Sequence, residues 1–278
     1  MRNVIPRLCA VHDISGFGKC SLTVALPILS AMGVEVCPLP TAVLSTHTGF
    51  DGYTFLDMTE DLPNIINHWK SINIKFDSIY SGFLGSSRQV DILIDFINRF
   101  KHDKLLTIVD PVMGDHGKLY SIFDDEMVRK MRELVSNANV ITPNITEAAF
   151  LLGEQCVEGA VSDKLIFDWA KRLSRSGAEQ VVITSVTSED NEMYVVIYDR
   201  RNNEAKKIRC SYISGAFHGT GDIFTSILSA RLLHGDSLEV AAQSAADFVS
   251  KAISETVKCH EVSAKNGILF EKVLAGGA

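Results

Sequence analysis

The sequence predicts an α/β protein with a mostly parallel central sheet covered by helices on both faces. Short runs rich in β-branched residues alternate with longer runs of helical periodicity along the chain. A strand, helix, strand order that repeats this often is typical of such layered sheets. The 278 residues, of which 46% are apolar and 22% charged, contain no linker, repeat or low-complexity stretch. We therefore expect residues 1–278 to form a single domain.

The elements of the first two thirds of the chain follow from this alternation. A strand at 8–12 leads through a loop containing Gly16 and Gly18 to a helix over 21–32, which Gly33 ends. The next strand, 34–40, is expected to be interrupted by its prolines. Further buried strands are predicted at 77–81, 105–110, 138–142 and 180–185, and helices at 87–102, 124–136, 146–153 and 162–176.

The last third of the chain is predicted to contain a hairpin and two long helices. Two strand-like runs, 193–199 and 205–212, flank the polar residues 200–204, which is typical of a β-hairpin. Helical periodicity then covers about 221–233 and 238–256, and these two helices are expected to close the fold.

Composition excludes several classes of protein. A net charge of −7 argues against nucleic acid as a partner, because binding to phosphate backbones requires clustered lysine and arginine. No run approaches the ~18–20 consecutive apolar residues of a membrane span, and the first residues lack the apolar segment of a signal peptide. Six scattered cysteines then indicate buried thiols in a reducing compartment, so a cytoplasmic protein is expected. No histidine pair has zinc-ligand spacing.

The most informative segment is residues 217–222, FHGTGD, which runs directly into a predicted helix. Glycine lets backbone N–H groups approach a ligand closely, and the free N–H groups of a first helical turn suit a phosphate. Asp222 could then accept the proton of a hydroxyl that attacks that phosphate. The alternative is a Gly-Thr-Gly loop in which Asp222 only caps the helix.

Polar clusters also follow three predicted strands, at the edge of the sheet where α/β proteins bind ligands. Asp110 follows the first, and either begins a turn before Pro111 or binds a ligand. Thr142, Asn144 and Glu147 follow the second strand, where they can form a helix N-terminus. That reading is compatible with the functional one, in which Asn144, Glu147 and Asp110 hold a Mg²⁺ ion whose coordination is completed by waters and phosphates. Thr184 and Ser185 follow the third, as strand-end hydroxyls or as donors to nucleotide phosphates.

Three familiar nucleotide motifs are excluded or weak. No P-loop occurs, because Gly18-Lys19 is followed by Cys20 and lacks the required upstream glycine. The segment 16–21 resembles a dinucleotide-binding turn, with Glu35 near the position of a ribose-binding acid, but Ser21 replaces its third glycine. The protein-kinase motifs are absent from the sequence.

Taken together, six stretches resemble the pyridoxal kinase family of the ribokinase-like superfamily. They are 12–16, 44–50 (LSTHTGF), 110–115 (DPVMGD), 140–147 (VITPNITE, followed by LLG at 151–153), 181–185 and 217–222, and they occur in the order of that family. The resemblance covers about residues 8–255. It implies a three-layer α/β/α fold, usually a homodimer, that transfers the γ-phosphoryl group of ATP to the 5′-hydroxymethyl group of a vitamin B₆ vitamer.

The resemblance also implies roles for individual residues. Asp222 would be the base on the substrate hydroxyl and also contact the substrate, and Gly219, Thr220 and Gly221 would form the anion hole. His47 and Thr48 would contact the ring, and Tyr120 would lie in a loop over the phosphates. Mg²⁺ would be held near Asp110, Glu147 and Thr142, with K⁺ or Na⁺ as a further cofactor. ATP would contact Asp110, Asn144, Thr184, Ser185, Gly219 and Gly221.

The chain departs from the family pattern on the substrate side. Val11 stands where many members have a ring-contacting serine, Phe83 replaces a common tyrosine, and residues 13–15 and 18–20 also differ. A hydroxymethylpyrimidine kinase of thiamin biosynthesis, from the same superfamily, is therefore the nearest alternative, since pockets for similar rings differ by only ~1–3 kcal/mol. A non-catalytic B₆-binding protein is a third reading, although a binder needs no base.

Overall fold

The computed structural model describes residues 5–157, 159–190, 192–210, 217–259 and 263–276. The strands are β1 Arg7–Ser15, β2 Glu35–Leu44, β3 Phe55–Asp57, β4 Ser78–Ser81, β5 Leu106–Val109, β6 Gly114–Asp115, β7 Lys118–Leu119, β8 Val140–Ile141, β9 Gln180–Thr187, β10 Met193–Asp199 and β11 Glu204–Cys210. The α-helices are α1 Leu22–Ala31, α2 Leu62–Ser71, α3 Ser87–Phe100, α4 Asp125–Val135, α5 Ile145–Leu152, α6 Asp163–Arg175, α7 Thr220–Leu233, α8 Leu238–Val257 and α9 Phe270–Ala275, with a 3₁₀ turn at Ala264–Asn266 before α9.

Within these residues, nine strands form one sheet in the order β11-β10-β9-β8-β5-β4-β1-β2-β3, and β6 and β7 form a separate hairpin. The six strands from β9 to β2 are parallel to their neighbours, whereas β3 at one edge and β10 and β11 at the other are antiparallel. Parallel neighbours require crossover connections, which place helices on the faces of the sheet. The carboxyl ends of the parallel strands consequently meet at one edge.

The helices form a layer on each face of the sheet. On one face, α2 to α6 bury a cluster that includes Ile66, Phe96 and Trp169. On the other face, α1, α7, α8 and α9 bury a second cluster, which includes Leu29 and Ile227. These two cores confirm the predicted three-layer α/β/α fold. In the described part of the chain, no helix is both long enough and apolar enough to cross a membrane.

Side-chain caps determine where most of the long helices begin. Ser86, Asp124, Ser162 and Ser237 each accept the backbone N–H three residues further on, at the starts of α3, α4, α6 and α8. Helix α7 differs, because its N-cap is Gly219 and, within the part of the chain that the structure describes, no side chain caps it. Its first N–H groups are therefore left available to a ligand.

The prediction that prolines interrupt the second strand is wrong. β2 runs without a break through Pro38 and Pro40, which pair with Ala10 and His12 of β1. On its other side β2 pairs with β3 only at Ala42–Leu44. Both prolines thus lie on a stretch whose second edge has no partner strand, and their missing N–H groups interrupt no ladder there.

Several elements were not predicted. The short strand β3, the hairpin β6–β7 and helix α9 are too short to stand out in the sequence, whereas helix α2, with ten residues, was overlooked despite its amphipathic pattern. The two long helices α7 and α8 therefore do not close the fold, because α9 follows them. The predicted strand 205–212 ends at Cys210, and residues 211 and 212 lie outside the described residues.

Candidate active site

The N-terminus of α7 is the centre of the site. Gly219 adopts a left-handed conformation, with φ of 82°, and a methyl group on it would lie 2.2 Å from the carbonyl oxygen of Lys19. Only glycine fits this close crossing of two backbones. Thr220 bonds back to the carbonyl of Phe217 (3.3 Å), so its hydroxyl stabilises the turn. Residues 219–221 thus form a glycine turn at the start of a helix, as the sequence predicts. We call them the anion-binding turn, after the role that the sequence predicts for them.

Asp222 lies in the first turn of α7, next to the loop that follows β1. Its Oδ2 accepts the backbone N–H of Ser21 at 2.8 Å, and its Oδ1 lies 3.9 Å from His12 Nδ1. Burial raises the pKa of Asp222 to about 7; the Ser21 N–H lowers this pKa and the charge of Asp13 raises it. A carboxyl group with a pKa near 7 is well matched to accepting a proton at neutral pH.

His12 is fully buried beside this carboxylate. Its ring meets Tyr80 edge to face at 4.3 Å, and burial lowers its pKa to about 3, so the imidazole is neutral. Neither ring nitrogen has a hydrogen-bond partner among the described residues. A side chain on Gly82 would collide with the ring, since a methyl group there would lie 2.3 Å from Nδ1. His12 therefore occupies a closely fitted position beside Asp222.

A second group of carboxylates follows β5 and β8. Asp110 is buried, and burial together with the charges of Glu147 and Asp222 raises its pKa well above the usual range. Its Oδ2 would lie 3.8 Å from a methyl group on Gly221, which places it against the first turn of α7. The hydroxyl of Thr142 accepts a hydrogen bond from Thr225 of α7 at 3.1 Å. The topology thus brings Asp110, Thr142 and the anion-binding turn together.

Glu147 forms the start of α5 as well as part of the site. Asn144 and Glu147 make a reciprocal capping box, with both hydrogen bonds at 2.9 Å. The other carboxylate oxygen of Glu147 accepts the Met113 N–H at 3.0 Å, and Asn144 donates to the Gly114 carbonyl at 2.8 Å. The helix-start reading of these two residues is therefore confirmed. Burial raises the pKa of Glu147 to about 8, although these backbone donors lower it.

The carboxylates fit a magnesium ion held partly by other ligands. Among the described residues, no three His, Cys, Asp or Glu side chains are placed to hold a metal ion by themselves. The neighbouring charges that raise the pKa of Asp110 are, however, those of the Glu147 and Asp222 carboxylates, and a cation bound there would neutralise them. Mg²⁺ is usually bound by one or two carboxylates together with waters and substrate phosphates. Asp110 and Glu147, with Thr142 behind them, suit that pattern.

Thr184 and Ser185, predicted to follow the end of the third strand, lie in a bulge within β9. β9 continues to Thr187, and its pairing with β10 shifts register between Ile183 and Val186. Ser185 is exposed, with a positive φ of 59°, and the Thr184 N–H donates to the Pro143 carbonyl at 2.9 Å. Bulges redirect side chains next to binding sites. Thr184 and Ser185 thus lie beside the β8 end, within the strand and not after it.

A cluster of aromatic rings lies on the other side of Asp222. His47 is buried, stacks on His218 at 4.3 Å and lies 4.8 Å from Phe50, which in turn lies 5.7 Å from Phe17. His47 Nδ1 accepts the Gly49 N–H, so Nε2 carries the proton that is donated to the Lys265 carbonyl at 2.8 Å. The predicted ring-contact segment therefore lies next to FHGTGD, with Thr48 exposed beside it.

The two residues that depart from the family pattern, Val11 and Phe83, lie on different parts of the chain. Val11 was predicted to contact the ring, and its side chain is 2% exposed, within the same apolar cluster as Leu39 and Leu84. Successive strand residues point to opposite faces, so Val11 faces away from the side on which His12 meets Asp222. Phe83 is half-buried and packs 5.7 Å from Phe123, which lies 6.4 Å from Tyr120.

The sequence reasoning missed four groups at the site, Asp13, Ser15, Ser21 and His218. Asp13 accepts hydrogen bonds from the hydroxyls of Ser15 and Ser21. For Asp13 and Ser15, the sequence signal was that residues 13–15 depart from the family pattern. For His218, it was the position of a histidine directly before the anion-binding turn.

The family follows from comparison with known proteins. The family model described as "Phosphomethylpyrimidine kinase" matches residues 30–266. A pyridoxine/pyridoxal/pyridoxamine kinase of Bordetella avium is 32% identical over 86% of this chain and 82% of its own length. The chain belongs to this kinase family, as a pyridoxal kinase of the ribokinase-like fold.

Two solved structures of family members resemble the chain over nearly its full length. One, from Bacteroides thetaiotaomicron, is provisionally named a phosphomethylpyrimidine kinase and was crystallised with pyridoxal; it has 45% identity and a TM-score of 0.94, covering 98% of this chain and 95% of its own. The other is a pyridoxal kinase of Lactobacillus plantarum, with 30% identity and a TM-score of 0.89, covering 99% and 96%. The predicted fold, family and kinase activity are confirmed.

Proposed function

We propose that this kinase transfers the γ-phosphoryl group of ATP to the 5′-hydroxymethyl group of a vitamin B₆ vitamer. The observation that carries the proposal is the position of Asp222, a carboxyl group with a raised pKa in the first turn of an uncapped, glycine-started helix. This arrangement places a proton acceptor beside an anion site, which is what phosphoryl transfer to an alcohol requires.

In this proposal the residues of α7 divide the work. Asp222 accepts the proton of the substrate hydroxyl while the oxygen of that hydroxyl forms a bond to the γ-phosphorus. At the same time the bond from the γ-phosphorus to the leaving ADP oxygen breaks. The N–H groups of Gly219, Thr220 and Gly221 stabilise the negative charge of the phosphoryl group in transit. These donors are backbone groups and are fixed before substrate binds, so little reorganisation is needed during the reaction.

The nucleotide and metal side is proposed to lie along the ends of β5, β8 and β9. Asp110, Asn144, Thr184, Ser185, Gly219 and Gly221 would contact ATP, and Asp110, Glu147 and Thr142 would hold Mg²⁺, directly or through water. Bound there, Mg²⁺ neutralises phosphate charge. Burial raises the pKa values of Asp110 and Glu147, and a cation bound beside them would favour their ionised forms. K⁺ or Na⁺ is included as a monovalent cofactor, and Tyr120 as a residue over the phosphates.

The vitamer is proposed to bind between the aromatic cluster and Asp222. His47 and Thr48 lie on the loop after β2, and His218 stacks on His47 directly before the anion-binding turn. The Bacteroides relative, which was crystallised with pyridoxal, supports a B₆ ring as the ligand. The name of the matching family model supports hydroxymethylpyrimidine as the second candidate substrate.

The decisive experiment is a product assay by mass. Purified protein is incubated with ATP, Mg²⁺ and K⁺ and, separately, with pyridoxal, pyridoxine, pyridoxamine or hydroxymethylpyrimidine, with Asp222→Asn as control. Fast phosphorylation of a B₆ vitamer by the wild type alone supports the proposal. Phosphorylation of hydroxymethylpyrimidine alone would identify the protein as a thiamin-pathway kinase. If none of the compounds were phosphorylated, a non-catalytic B₆-binding protein would be the better interpretation. Omitting K⁺ and Na⁺ tests the monovalent cation.

Assembly and location are part of the proposal as well. A homodimer is supported by the exposed apolar side chains of the edge strand β3, Phe55 and Leu56, together with Val43 of the neighbouring β2; Leu56 is 60% exposed. Sedimentation of the wild type and of Leu56→Asp tests it; a monomeric wild type would contradict it. The continuous nine-stranded sheet supports a single domain over residues 1–278. The six free cysteines support a cytoplasmic location for the protein.

A further inference from the structure

Asp13 is a buried carboxylate next to the site, and the proposed chemistry gives it no task. Its side chain is 3% exposed, and its partners are two hydroxyls: Ser15 Oγ donates to Oδ2 at 2.8 Å, and Ser21 Oγ donates to Oδ1. Among the described residues, no lysine or arginine lies within ion-pair distance of it. A carboxylate buried without a cation is costly, so its hydrogen bonds are expected to serve a purpose.

Ser21 has a backbone conformation that ordinarily belongs to glycine. Its φ is 55° and its ψ −132°, directly before α1 begins. Serine at this position usually caps the helix, but here its side chain makes no cap hydrogen bond and turns to Asp13 instead. A non-glycine residue stays in such a conformation only when its surroundings hold it there. The hydroxyl bond to Asp13 is one such restraint.

The strained conformation of Ser21 has a consequence for Asp222. It directs the Ser21 N–H at Asp222 Oδ2, 2.8 Å away. His12 Nδ1 is 3.9 Å from the other oxygen, which is too long for a hydrogen bond. Among the described residues, Ser21 therefore supplies the one directed hydrogen bond to the Asp222 carboxylate, and Ser21 joins the two carboxylates, through its hydroxyl on one side and its N–H on the other.

We propose that Asp13 is a positioning residue for Asp222. By holding the Ser21 hydroxyl, Asp13 keeps the Ser21 N–H aimed at Oδ2, and this orients Oδ1 toward the substrate hydroxyl. Asp13 itself contacts neither substrate. The inference rests on the proposed function, because it takes Asp222 to be the base.

The proposal predicts an unusual rescue. Glycine adopts the Ser21 conformation without any tether, so Ser21→Gly makes the hydroxyl bond to Asp13 unnecessary. Asp13→Asn alone should lower kcat on the order of 10- to 100-fold, the effect of a base displaced by a fraction of an ångström to an ångström, with KM for both substrates nearly unchanged. Ser21→Gly alone should retain most of the activity. The double variant should recover most of the kcat that Asp13→Asn loses.

The rescue separates this role from other roles of Asp13. If the double variant is no faster than Asp13→Asn, then Asp13 acts through its charge or through a substrate contact, and the proposal is wrong. It is also wrong if Asp13→Asn keeps wild-type kcat. Should Asp13→Asn not fold, Ser15→Ala releases the other Asp13 oxygen; the same rescue by Ser21→Gly is then expected on a smaller loss, and no loss or no rescue overturns the proposal.

Two controls complete the experiment. Asp57→Asn removes a similar carboxylate tether, to Thr59 and Gln89 at the end of the edge strand β3, and should leave kcat unchanged. Asp222→Asn separates the two proposals. If Asp222→Asn stays active, the base assignment itself fails. If Asp222→Asn is inactive while Asp13→Asn is fully active, only the positioning role fails.

Discussion

The two sides of the site are built differently. The side proposed to bind the phosphates consists of Asp110, the Asn144–Glu147 capping box and the first turn of α7, which lie at strand ends and helix starts and are fixed largely by backbone hydrogen bonds. The ring side consists of side chains on loops, in which His47 stacks on His218 and bonds to the carbonyl of Lys265, 218 residues away. Strand ends and helix starts hold the charged groups in fixed positions, whereas side chains on loops can be substituted one at a time without disturbing the fold. Catalysis should therefore fail when the first side is altered, and specificity should change when the second is.

The largest expected effect is that of Asp222→Asn. The amide cannot accept the substrate proton, so kcat should fall by roughly 10²–10⁴-fold. ATP binding should be unaffected, because the anion-binding N–H groups of α7 remain in place. Single-turnover kinetics and ATP titration measure the two quantities; a kcat near that of the wild type would remove Asp222 from the base role.

Gly219→Ala tests whether the anion site is a backbone construction. The added methyl group would meet the Lys19 carbonyl at 2.2 Å and displace the turn, so kcat should fall on the order of 10²-fold, as when an oxyanion donor is lost. Gly235→Ala is the matched control, because Gly235 also has a positive φ, of 96°, but has nothing within 4 Å. Equal loss of kcat in both variants would show that backbone strain alone is responsible.

Activity should depend on pH through Asp222. Its pKa is about 7, and only the ionised form can accept a proton, so kcat/KM should rise with pH and level off above about 7. One unit below that pKa the rate should be about tenfold below the plateau. A profile of kcat/KM from pH 5 to 9 measures this, and a flat profile across pH 6–7 would mean that another group limits the reaction.

Glu147→Ala should have a smaller, double effect. It removes the capping box of α5, which costs about 1 kcal/mol of unfolding free energy, and it should raise the Mg²⁺ concentration needed for half-maximal rate. Ser162→Ala removes the cap of α6 and should lower stability to a similar extent without changing the Mg²⁺ requirement. Thermal melts and Mg²⁺ titrations of both variants separate the two effects; identical titrations would count against a metal role for Glu147.

On the opposite side of β1, Val11→Ser should change stability and not the vitamer pocket. Val11 is enclosed in the apolar cluster, so a buried hydroxyl there should cost about 1–3 kcal/mol of unfolding free energy, with KM for the vitamer unchanged. Denaturant unfolding and steady-state kinetics test this. Tighter vitamer binding would return Val11 to the ring side.

The elements of the proposed phosphate side could be predicted from the sequence because their signals are local. A glycine-rich turn before a helix and polar residues after buried strands each occupy a few consecutive residues. The ring side depends on which distant segments of the chain come into contact. Nothing in the sequence of residues 44–50 indicates that His47 bonds to the carbonyl of Lys265. Strand alternation does predict from the sequence that His12 and Val11 face opposite sides of the sheet. The bond between Ser21 and Asp222 joins residues 201 apart and required the structure.

The last helix has a consequence for how the protein is made. Lys19, in the loop after the first strand, pairs with Glu271 of α9 at 2.8 Å, and the carbonyl of Gly18 lies 2.4 Å from where a side chain on Gly267 would begin. The first loop of the site is thus completed by residues about 250 positions further along the chain, since Lys19 and Glu271 are 252 residues apart. Contacts between such distant segments form late. A ribosome-bound chain that lacks residues 263–276 should therefore expose an unfinished site, and the nascent kinase should remain inactive until these residues have emerged and packed against the first loop.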